Sequence, residues 1–188
     1  MTSPKFRLLG LSGSLRQASY STAILKAIGA EIAAAADLTF AEIGTLPLYN
    51  QDLDLDPRPA PVAALRAAIA AAEGLIVVST EYNHGVPGVR KNAIDWASRP
   101  AFASPLKGKP VLIVTCSMAT TGGVRAQYQL REAFSSTLSR PVATPEVVIG
   151  SVAQKMTGEV FTDRAVLDFA AKACAALMAE IARSRATV

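Results

Sequence analysis

Short apolar runs alternate along the chain with longer segments whose apolar residues recur at helical spacing. Unbroken apolar runs of five to seven residues are typical of strands that are covered on both faces of a parallel sheet. The predicted strands are Phe6 to Leu11, a run marked by Leu38, Phe40 and Ile43, Leu75 to Ser79, Val111 to Cys116, and one strand within Pro141 to Val148.

Five amphipathic or alanine-rich segments separate and follow these runs. The predicted helices are the segment with Ile24, Leu25, Ile28 and Ile32 on one face, and then Val62 to Glu73, Val89 to Ser98, Val124 to Leu138 and Asp163 to Arg183. The connection from Gly44 to Pro61 is rich in proline and aspartate and is expected to be irregular. Strands that alternate with helices predict an α/β fold with an open parallel sheet and helices on both faces. We expect residues 1–188 to form one domain.

Composition narrows the possible classes of protein. No apolar run approaches the roughly 20 residues that cross a bilayer, and the first 16 residues lack the features of a signal peptide. Cys116 and Cys174 are the two cysteines of the 188 residues, which is too few for a disulfide framework or a thiolate metal site. The expected compartment is therefore the cytoplasm. The net charge of +4 is scattered along the chain, which disfavours nucleic-acid binding but allows an anionic small ligand.

Three polar loops follow the first, third and fourth predicted strands: Ser12 to Ser19, Thr80 to Gly88 and Ser117 to Gly123. In open parallel sheets, ligands bind beyond the carboxyl ends of the strands, at the switch in strand order. These three loops are therefore expected to carry the function.

The first loop has the composition of a phosphate site. Gly13 allows a tight turn into a helix N-terminus, where free backbone N–H groups favour an anion. Hydroxyls and one guanidinium add donors; they belong to Ser12, Ser14, Ser19, Ser21, Thr22 and Arg16. A loop with few glycines suits a phosphomonoester better than a dinucleotide pyrophosphate, and the third glycine of G-x-G-x-x-G is missing. The alternative is that the serines only cap the helix.

The second and third loops suit the edge of a flat ring. Gly85, Pro87 and Gly88 bring stiff backbone close to a ligand, while Tyr82 and Asn83 supply a planar face and an amide. The loop from Ser117 to Gly123 is small and rich in hydroxyls. Together with the phosphate loop, they predict a riboflavin-type mononucleotide.

Several motifs now form a recognisable set. They are Ser12-Gly13-Ser14-Leu15-Arg16 with Ser19, Glu81-Tyr82-Asn83 with Val86-Pro87-Gly88, Lys91-Asn92-Ala93-Ile94-Asp95-Trp96, Gly122-Gly123-Val124-Arg125 and Gln127-Tyr128. The chain resembles the NADPH-dependent FMN reductase family from about Phe6 to Gln154. That family includes bacterial quinone, chromate and azo-dye reductases. Thr80 stands where many relatives have proline, and Ser21 where many have asparagine.

The resemblance implies a flavodoxin-like fold with strand order 2-1-3-4-5 and bound FMN. The phosphate is expected at Ser14, Arg16, Ser19 and Ser21, and the isoalloxazine edge at residues 81–84 with Ser117 nearby. The full predicted cofactor site is Ser12, Ser14, Leu15, Arg16, Ser19, Tyr20, Ser21, Thr22, Glu81, Tyr82, Asn83, His84, Gly85, Ser117 and Gly122.

The resemblance also implies the chemistry. NADPH or NADH would reduce FMN, and a small acceptor such as a quinone, a free flavin, an azo compound or chromate would then reoxidise it in ping-pong order. Because the cofactor carries the reaction, no catalytic side chain and no metal site are expected. The family likeness further implies a homodimer or homotetramer, with the helices from Val89 to Ser98 and from Val124 to Leu138 as candidate contacts.

Several of these residues could have structural roles, or no role, instead of functional ones. Trp96 and Tyr128 are expected to serve packing or a subunit interface, and Cys116 to be inert. Glu81 is expected to be a solvated or ion-paired side chain that matters through its backbone alone, rather than an acid. His84, the only histidine, could donate a proton or could have an exposed ring with no role, and Arg125 could contact an acceptor or a subunit.

Three rival functions remain open from the sequence. A serine hydrolase is disfavoured because Gly10-Leu11-Ser12-Gly13-Ser14 lacks the final glycine of G-x-S-x-G. In addition, the only possible base, His84, lies in the middle of the chain, against the order Ser, acid, His of α/β-hydrolases. A flavodoxin-type electron carrier would explain FMN without turnover, although such carriers are typically acidic. A nucleotide-sensing binding module is the third possibility.

Overall fold

A computed structural model describes residues 4–186 of the chain. The elements are β1 (Phe6–Ser12), α1 (Tyr20–Ile32), β2 (Ala36–Phe40), α2 (Ala60–Ala71), β3 (Gly74–Thr80), α3 (Gly88–Ala97), β4 (Pro110–Cys116), α4 (Val124–Ser136), β5 (Arg140–Pro141), β6 (Val147–Ile149), β7 (Met156–Thr157), β8 (Val160–Phe161) and α5 (Arg164–Arg185). Short 3₁₀ turns cover Gln51–Leu53 and Val152–Lys155.

The central sheet is parallel, with the order β2-β1-β3-β4-β5. Leu8 of β1 pairs with Leu38 of β2 on one side and with Gly74 of β3 on the other. The predicted fold class and strand order are therefore confirmed. Because all of these strands run the same way, the loops after β1, β3 and β4 emerge at one edge of the sheet.

Two apolar layers cover the two faces of the sheet. One layer packs Ile24 and Leu25 of α1 and Leu177 of α5 against the strands, and the other packs α2, α3 and α4 through residues such as Ile69 and Leu130. Strands β3 and β4 are buried along almost their whole length, as unbroken apolar runs predict. Trp96 has no exposed surface, and its indole Nε1 donates to the Pro47 carbonyl over 2.8 Å, which fits the expected packing role.

The second and fifth strands differ from their predicted extents. β2 ends at Phe40, so Ile43 is not part of it, although Ile43 is buried in the core between the sheet and α2. The fifth strand is interrupted: β5 and β6 both pair with β4, at its start and at its end respectively. Pro145, which lies between β5 and β6, lacks the N–H group that a continuous ladder needs, which agrees with the break.

A two-stranded antiparallel hairpin, β7 with β8, was not expected from the sequence. Met156 pairs with Phe161, whose side chain is almost completely buried against the α1 and α5 layer. Strands of two residues carry no readable hydrophobic alternation, so only the burial of Phe161 reveals why the hairpin forms. Among the helices of residues 4–186, none is long and apolar enough to cross a membrane.

Candidate functional site

The first loop leaves β1 at Ser12 and enters α1 at Tyr20. The Gly13 N–H donates to the Val78 carbonyl of β3 over 2.8 Å, which holds the start of the loop against the neighbouring strand. A Cβ atom at Gly13 would lie 2.9 Å from the Ser79 Cα, closer than real Cβ contacts come. Gly13 is therefore required for this close approach, as the tight turn predicted at this position suggested.

A chain of hydroxyls runs beneath the loop. Oγ of Ser12 lies 2.8 Å from Oγ1 of Thr22 and 3.1 Å from Oγ of Ser21, and Oγ of Ser21 lies 3.0 Å from Oγ of Ser19. Ser19 is also the N-cap of α1, since its Oγ accepts from the Thr22 N–H over 3.2 Å. Ser21 has no exposed surface. The capping interpretation is therefore true of Ser19, while the buried Ser21 braces the loop from below.

Several donors of this loop are left without acceptors. In the described chain, the N–H groups of Ser14, Leu15, Gln17 and Ala18 have no hydrogen-bond acceptor. In the first turn of α1, the N–H groups of Tyr20 and Ser21 likewise have no acceptor in the described chain, whereas those of Thr22 and Ala23 donate to Ser19. Arg16 is exposed and has no carboxylate partner among residues 4–186. Unused N–H groups beside a free cation are the donor set that a phosphate needs.

The space beside the loop is large enough for a phosphate group. A cavity of about 190 Å³ is bordered by Arg16, Ser19, Tyr20, Thr22 and Lys26, and on its far side by the β7–β8 hairpin, which contributes one carboxylate, Glu159. The Arg16 guanidinium donates to the Ala18 carbonyl over 2.7 Å and lies 5.5 Å from the centre of the Tyr20 ring. Lys26, one turn into α1, adds a second exposed cation that the sequence interpretation did not include. The residues present therefore fit a dianionic ester.

The second loop is a tight two-residue turn. Tyr82 and Gly85 exchange backbone hydrogen bonds of 3.1 and 2.9 Å, and Asn83 and His84 between them have φ of 50° and 62°. Positive φ at both central positions describes a type I′ turn, which asparagine tolerates well and histidine adopts less readily. Tyr82 is 53% exposed, so the turn presents an aromatic side chain to solvent. The second loop is thus a stiff turn that presents a planar group, as the sequence predicted.

Side chains of α4 hold this turn in place. The Glu81 carboxylate accepts from the N–H groups of Arg125 and Ala126 over 2.9 and 3.1 Å and lies 3.5 Å from the Arg125 guanidinium. Gln129 donates to the His84 carbonyl and accepts from the Val86 N–H. Glu81 is therefore an N-terminal cap of α4, and Arg125 is its ion partner. The sequence allowed an ion-paired Glu81 but indicated neither the cap nor the partner, because the two segments are more than forty residues apart.

The third loop is shaped by glycines. Oγ of Ser117 accepts from the Ala119 N–H over 3.1 Å, and the Ser117 N–H and carbonyl bond to Ile149 and Val152. Gly122 has a φ of 63°, and a Cβ atom there would lie 2.5 Å from Cγ1 of Val148. The end of the fifth strand thus leaves no room for a side chain at position 122, which explains why glycine occupies it.

The sheet register places the three loops side by side. Ser12 pairs with Val78 next to the second loop, and Thr80 pairs with Cys116 next to the third. All fifteen predicted site residues lie on these three loops and the adjoining first turn of α1. Exposed side chains at this edge include Leu15, Tyr82 and Met118. Within residues 4–186, no group of three or more histidine, cysteine or acidic side chains could hold a metal ion.

A parallel sheet of this order, with an unpaired set of anion donors after β1, defines a flavodoxin-like mononucleotide-binding protein. The family comparison makes the assignment specific. The chain belongs to the NADPH-dependent FMN reductase family, whose model matches residues 6–154. This confirms the predicted class, an oxidoreductase that depends on FMN and NAD(P)H.

Individual relatives agree with the family assignment. The chain is 39% identical over 165 residues to the NAD(P)H-dependent FMN reductase of Pseudomonas aeruginosa, covering 87% of this chain and 89% of that protein. It is also 39% identical over 171 residues to the quinone reductase of Escherichia coli, covering 88% and 90%. Among solved structures, the flavoenzyme NAD(P)H:(acceptor) oxidoreductase FerB of Paracoccus denitrificans superposes with a TM-score of 0.86 at 28% identity, covering 95% of this chain and 98% of that one.

Proposed function

We propose that this protein transfers electrons in ping-pong order from NAD(P)H, through FMN held at the three loops, to small flat acceptors such as quinones. Free flavins, azo compounds and chromate are further acceptors that the proposal includes. The observation that carries it is the set of unused N–H donors of Ser14, Leu15, Gln17 and Ala18 around the Arg16 side chain, next to an exposed aromatic turn. The similarity to proteins named quinone reductase supports the choice of acceptor.

The first loop holds the charged end of the cofactor. Its free N–H groups and the Arg16 guanidinium donate to phosphate oxygens, and the positive end of the α1 dipole adds a favourable potential. Hydrogen bonds between Ser12, Ser19, Ser21 and Thr22 keep the loop in the binding conformation before the cofactor arrives. A site preorganised in this way loses less entropy on binding.

The other two loops orient the ring. The turn at Asn83 and His84 is fixed by its own backbone bonds and by Gln129, so its amides are held in position beside the ring edge. When bound there, FMN would supply the redox chemistry, hydride acceptance from NAD(P)H and two-electron reduction of the acceptor. The chain's residues position both partners, and the exposed rim at Leu15, Tyr82 and Met118 leaves room for a flat molecule to enter.

Absorption spectroscopy tests this function directly. Purified protein mixed with FMN and freed of excess ligand should show flavin bands that bleach anaerobically with NADPH and recover on addition of a quinone. Initial rates with both substrates varied should give parallel double-reciprocal lines, as a ping-pong order requires. Intersecting lines would overturn the order, and flavin bands that NADPH does not bleach would overturn the function.

Removal of two phosphate donors should release the cofactor. We expect Ser14→Ala with Arg16→Ala to weaken FMN binding by about 100-fold or more, because a charge-assisted bond and a hydroxyl are lost together. Fluorescence titration of FMN measures the change. The control Lys107→Ala with Ser135→Ala removes one exposed cation and one exposed hydroxyl elsewhere and should bind FMN normally. Equal affinities in the two double variants would remove Ser14 and Arg16 from the site.

A single measurement separates the electron-carrier alternative from the proposed reductase. A carrier would exchange electrons with a protein partner and show almost no steady-state oxidation of NADPH with a quinone. Such carriers are typically acidic, whereas this chain has a net charge of +4 and a pI of about 9.3. We therefore place the reductase ahead of the carrier.

We also propose a homodimer or homotetramer in the cytoplasm. Leu48, on the segment whose Pro47 carbonyl accepts from Trp96 of α3, is 84% exposed, and Tyr128 of α4 is 62% exposed. An exposed apolar side chain on the loop beside α3 and an exposed aromatic side chain on α4 support an interface there. Both cysteines are buried and unpaired, which agrees with a reducing compartment. Light scattering and cell fractionation test the two statements.

A further inference from the structure

A buried arginine lies under the edge of the sheet that carries the three loops. Arg90 is in the first turn of α3, and its side chain has no exposed surface. The residues that share a small cavity of about 10 Å³ with it are apolar, among them Leu11, Ile69 and Phe134. An arginine this deeply buried normally has a carboxylate partner, because removal of the charge from water is costly.

No such partner exists for Arg90 among the described residues. Its Nη2 donates to the Val78 carbonyl over 3.3 Å, while Nε and Nη1 have no hydrogen-bond acceptor. No carboxylate of residues 4–186 forms an ion pair with it. Burial lowers the pKa of the guanidinium to about 9, so it remains charged at neutral pH. The fold therefore contains a cation whose charge the described chain does not compensate.

The position of this cation points to the first loop. The Val78 carbonyl that accepts from Arg90 also accepts from the Gly13 N–H over 2.8 Å. The Arg90 guanidinium and the N–H of Gly13 in the first loop thus donate to the same oxygen atom. The loop that begins there contributes uncharged donors and the further cation of Arg16, so an anion bound in it would lie in the field of two cations.

We propose that Arg90 is an electrostatic positioning residue for FMN, whose dianionic phosphate in the loop above supplies the negative charge that the buried guanidinium lacks. The inference rests on the proposed FMN site. Arg90 touches the Val78 carbonyl and acts on the cofactor across the loop, through its charge and through the support that this hydrogen bond gives the strand beneath Gly13. It is not a catalytic residue.

Two opposite consequences follow from an uncompensated charge. Without ligand, Arg90 destabilises the fold, since a buried cation lacks its counter-ion. With ligand, attraction between the guanidinium and the phosphate increases affinity, because few water molecules screen charges across a buried path. Replacement of Arg90 by an uncharged side chain of similar length should therefore raise the stability of the FMN-free chain and lower its affinity for FMN.

The test compares FMN with riboflavin, which has the same ring and no phosphate. We expect Arg90→Met to weaken FMN binding by about 10-fold while riboflavin binding stays within about 2-fold. The melting temperature of the FMN-free variant should exceed that of the FMN-free parent. Arg90→Lys keeps the charge and should retain the preference for FMN over riboflavin.

Several outcomes would overturn the proposal. Equal losses of FMN and riboflavin affinity in Arg90→Met would make Arg90 a packing residue, and unchanged FMN affinity would remove it from the site altogether. If Arg90→Met does not fold, Arg90→Gln provides the same neutral comparison and keeps a donor for the Val78 carbonyl. A parent protein that binds no FMN would instead contradict the proposed function, so the two failures are distinguishable.

Discussion

Glu81 shows how a single carboxylate can couple two loops of this site. Its side chain is only 8% exposed and bonds to two consecutive N–H groups at the start of α4. Free N–H groups at a helix N-terminus are stabilised by a negative charge, both through hydrogen bonds and through the helix dipole. Glu81 therefore fixes the distance between the second loop and the third.

Loss of this carboxylate should destabilise the protein. Glu81→Ala leaves the Arg125 and Ala126 N–H groups without an acceptor and is expected to cost about 1 to 3 kcal/mol of unfolding free energy. Urea unfolding followed by circular dichroism measures it. Glu132→Ala removes an exposed carboxylate of the same helix and should change the value by less than about 0.5 kcal/mol. Equal effects of the two substitutions would refute the cap.

Residue types and loop positions were sufficient to predict much of the site, but not its internal bonds. The hydroxyls and Arg16 are adjacent in sequence, so a short motif reveals them. The contacts of Glu81 with α4, of Gln129 with the second loop and of Arg90 with Val78 join distant segments. Only the packing of α3 and α4 against the sheet decides these contacts, and no local pattern records it.

At the scale of elements, the junction between β4 and the fifth strand depends on two glycines. A Cβ atom at Gly122 would lie 2.9 Å from the Gly150 nitrogen, and one at Gly150 would meet the Thr120 backbone. The third loop therefore lies directly on the strand end, with no room for side chains between the two backbones. This contact sets the position of Ser117 and of the start of α4.

A matched pair of glycines separates crowding from backbone strain. Gly122 and Gly158 have similar φ of 63° and 60°, but no atom lies within 4 Å of a Cβ added at Gly158. We expect Gly158→Ala to cost about 1 kcal/mol, the price of a left-handed conformation alone. Gly122→Ala should cost at least about 2 kcal/mol more than Gly158→Ala, because the backbone at Ile149 and Gly150 must move to make room for the methyl group. Thermal unfolding checks both, and similar losses would exclude crowding as the cause.

Element prediction succeeded where an element buries a continuous or periodic apolar surface. The buried runs of β1, β3 and β4 and the five helices were recognised within a few residues. It failed where side chains carry no period: β5 has two residues, β6 three, and the hairpin strands two each. Ile43 was wrongly assigned to the second strand. It is buried, as a strand residue would be, but it lies in the loop that follows β2.

At the scale of the whole molecule, ion pairs tie the last helix to the rest of the fold. Arg164 at the start of α5 forms a bidentate pair with Glu31 at the end of α1. Arg185 at the other end binds both carboxylate oxygens of Glu73 over 2.7 Å, just before β3. The hydrogen bonds from Arg185 and from the Arg7 N–H lower the pKa of Glu73 to about 2.

This shifted carboxylate should make stability depend on pH. A folded pKa of about 2, below the ordinary value of 4.5, means that the stabilisation is complete above pH 4.5 and is lost as the pH falls toward 2. We expect Glu73→Gln to lose about 1 to 2 kcal/mol at pH 7 after allowance for solvent screening, and progressively less below pH 4.5. Urea unfolding from pH 7 to pH 2.5 measures the difference. Glu132→Gln is the control, and a constant difference across this range would contradict the linkage.

The parallel register of the sheet has a consequence for how the chain folds. Leu8 pairs with Leu38 and with Gly74, and every neighbouring pair in the order β2-β1-β3-β4-β5 is joined through at least one helix. Contacts between such distant residues require closure of long loops before any pairing energy is gained, which slows folding. On a ribosome, the central β1–β3 pair cannot begin to form until Gly74 has been synthesised, so the apolar β1 waits through about a third of translation without one of its two partner strands.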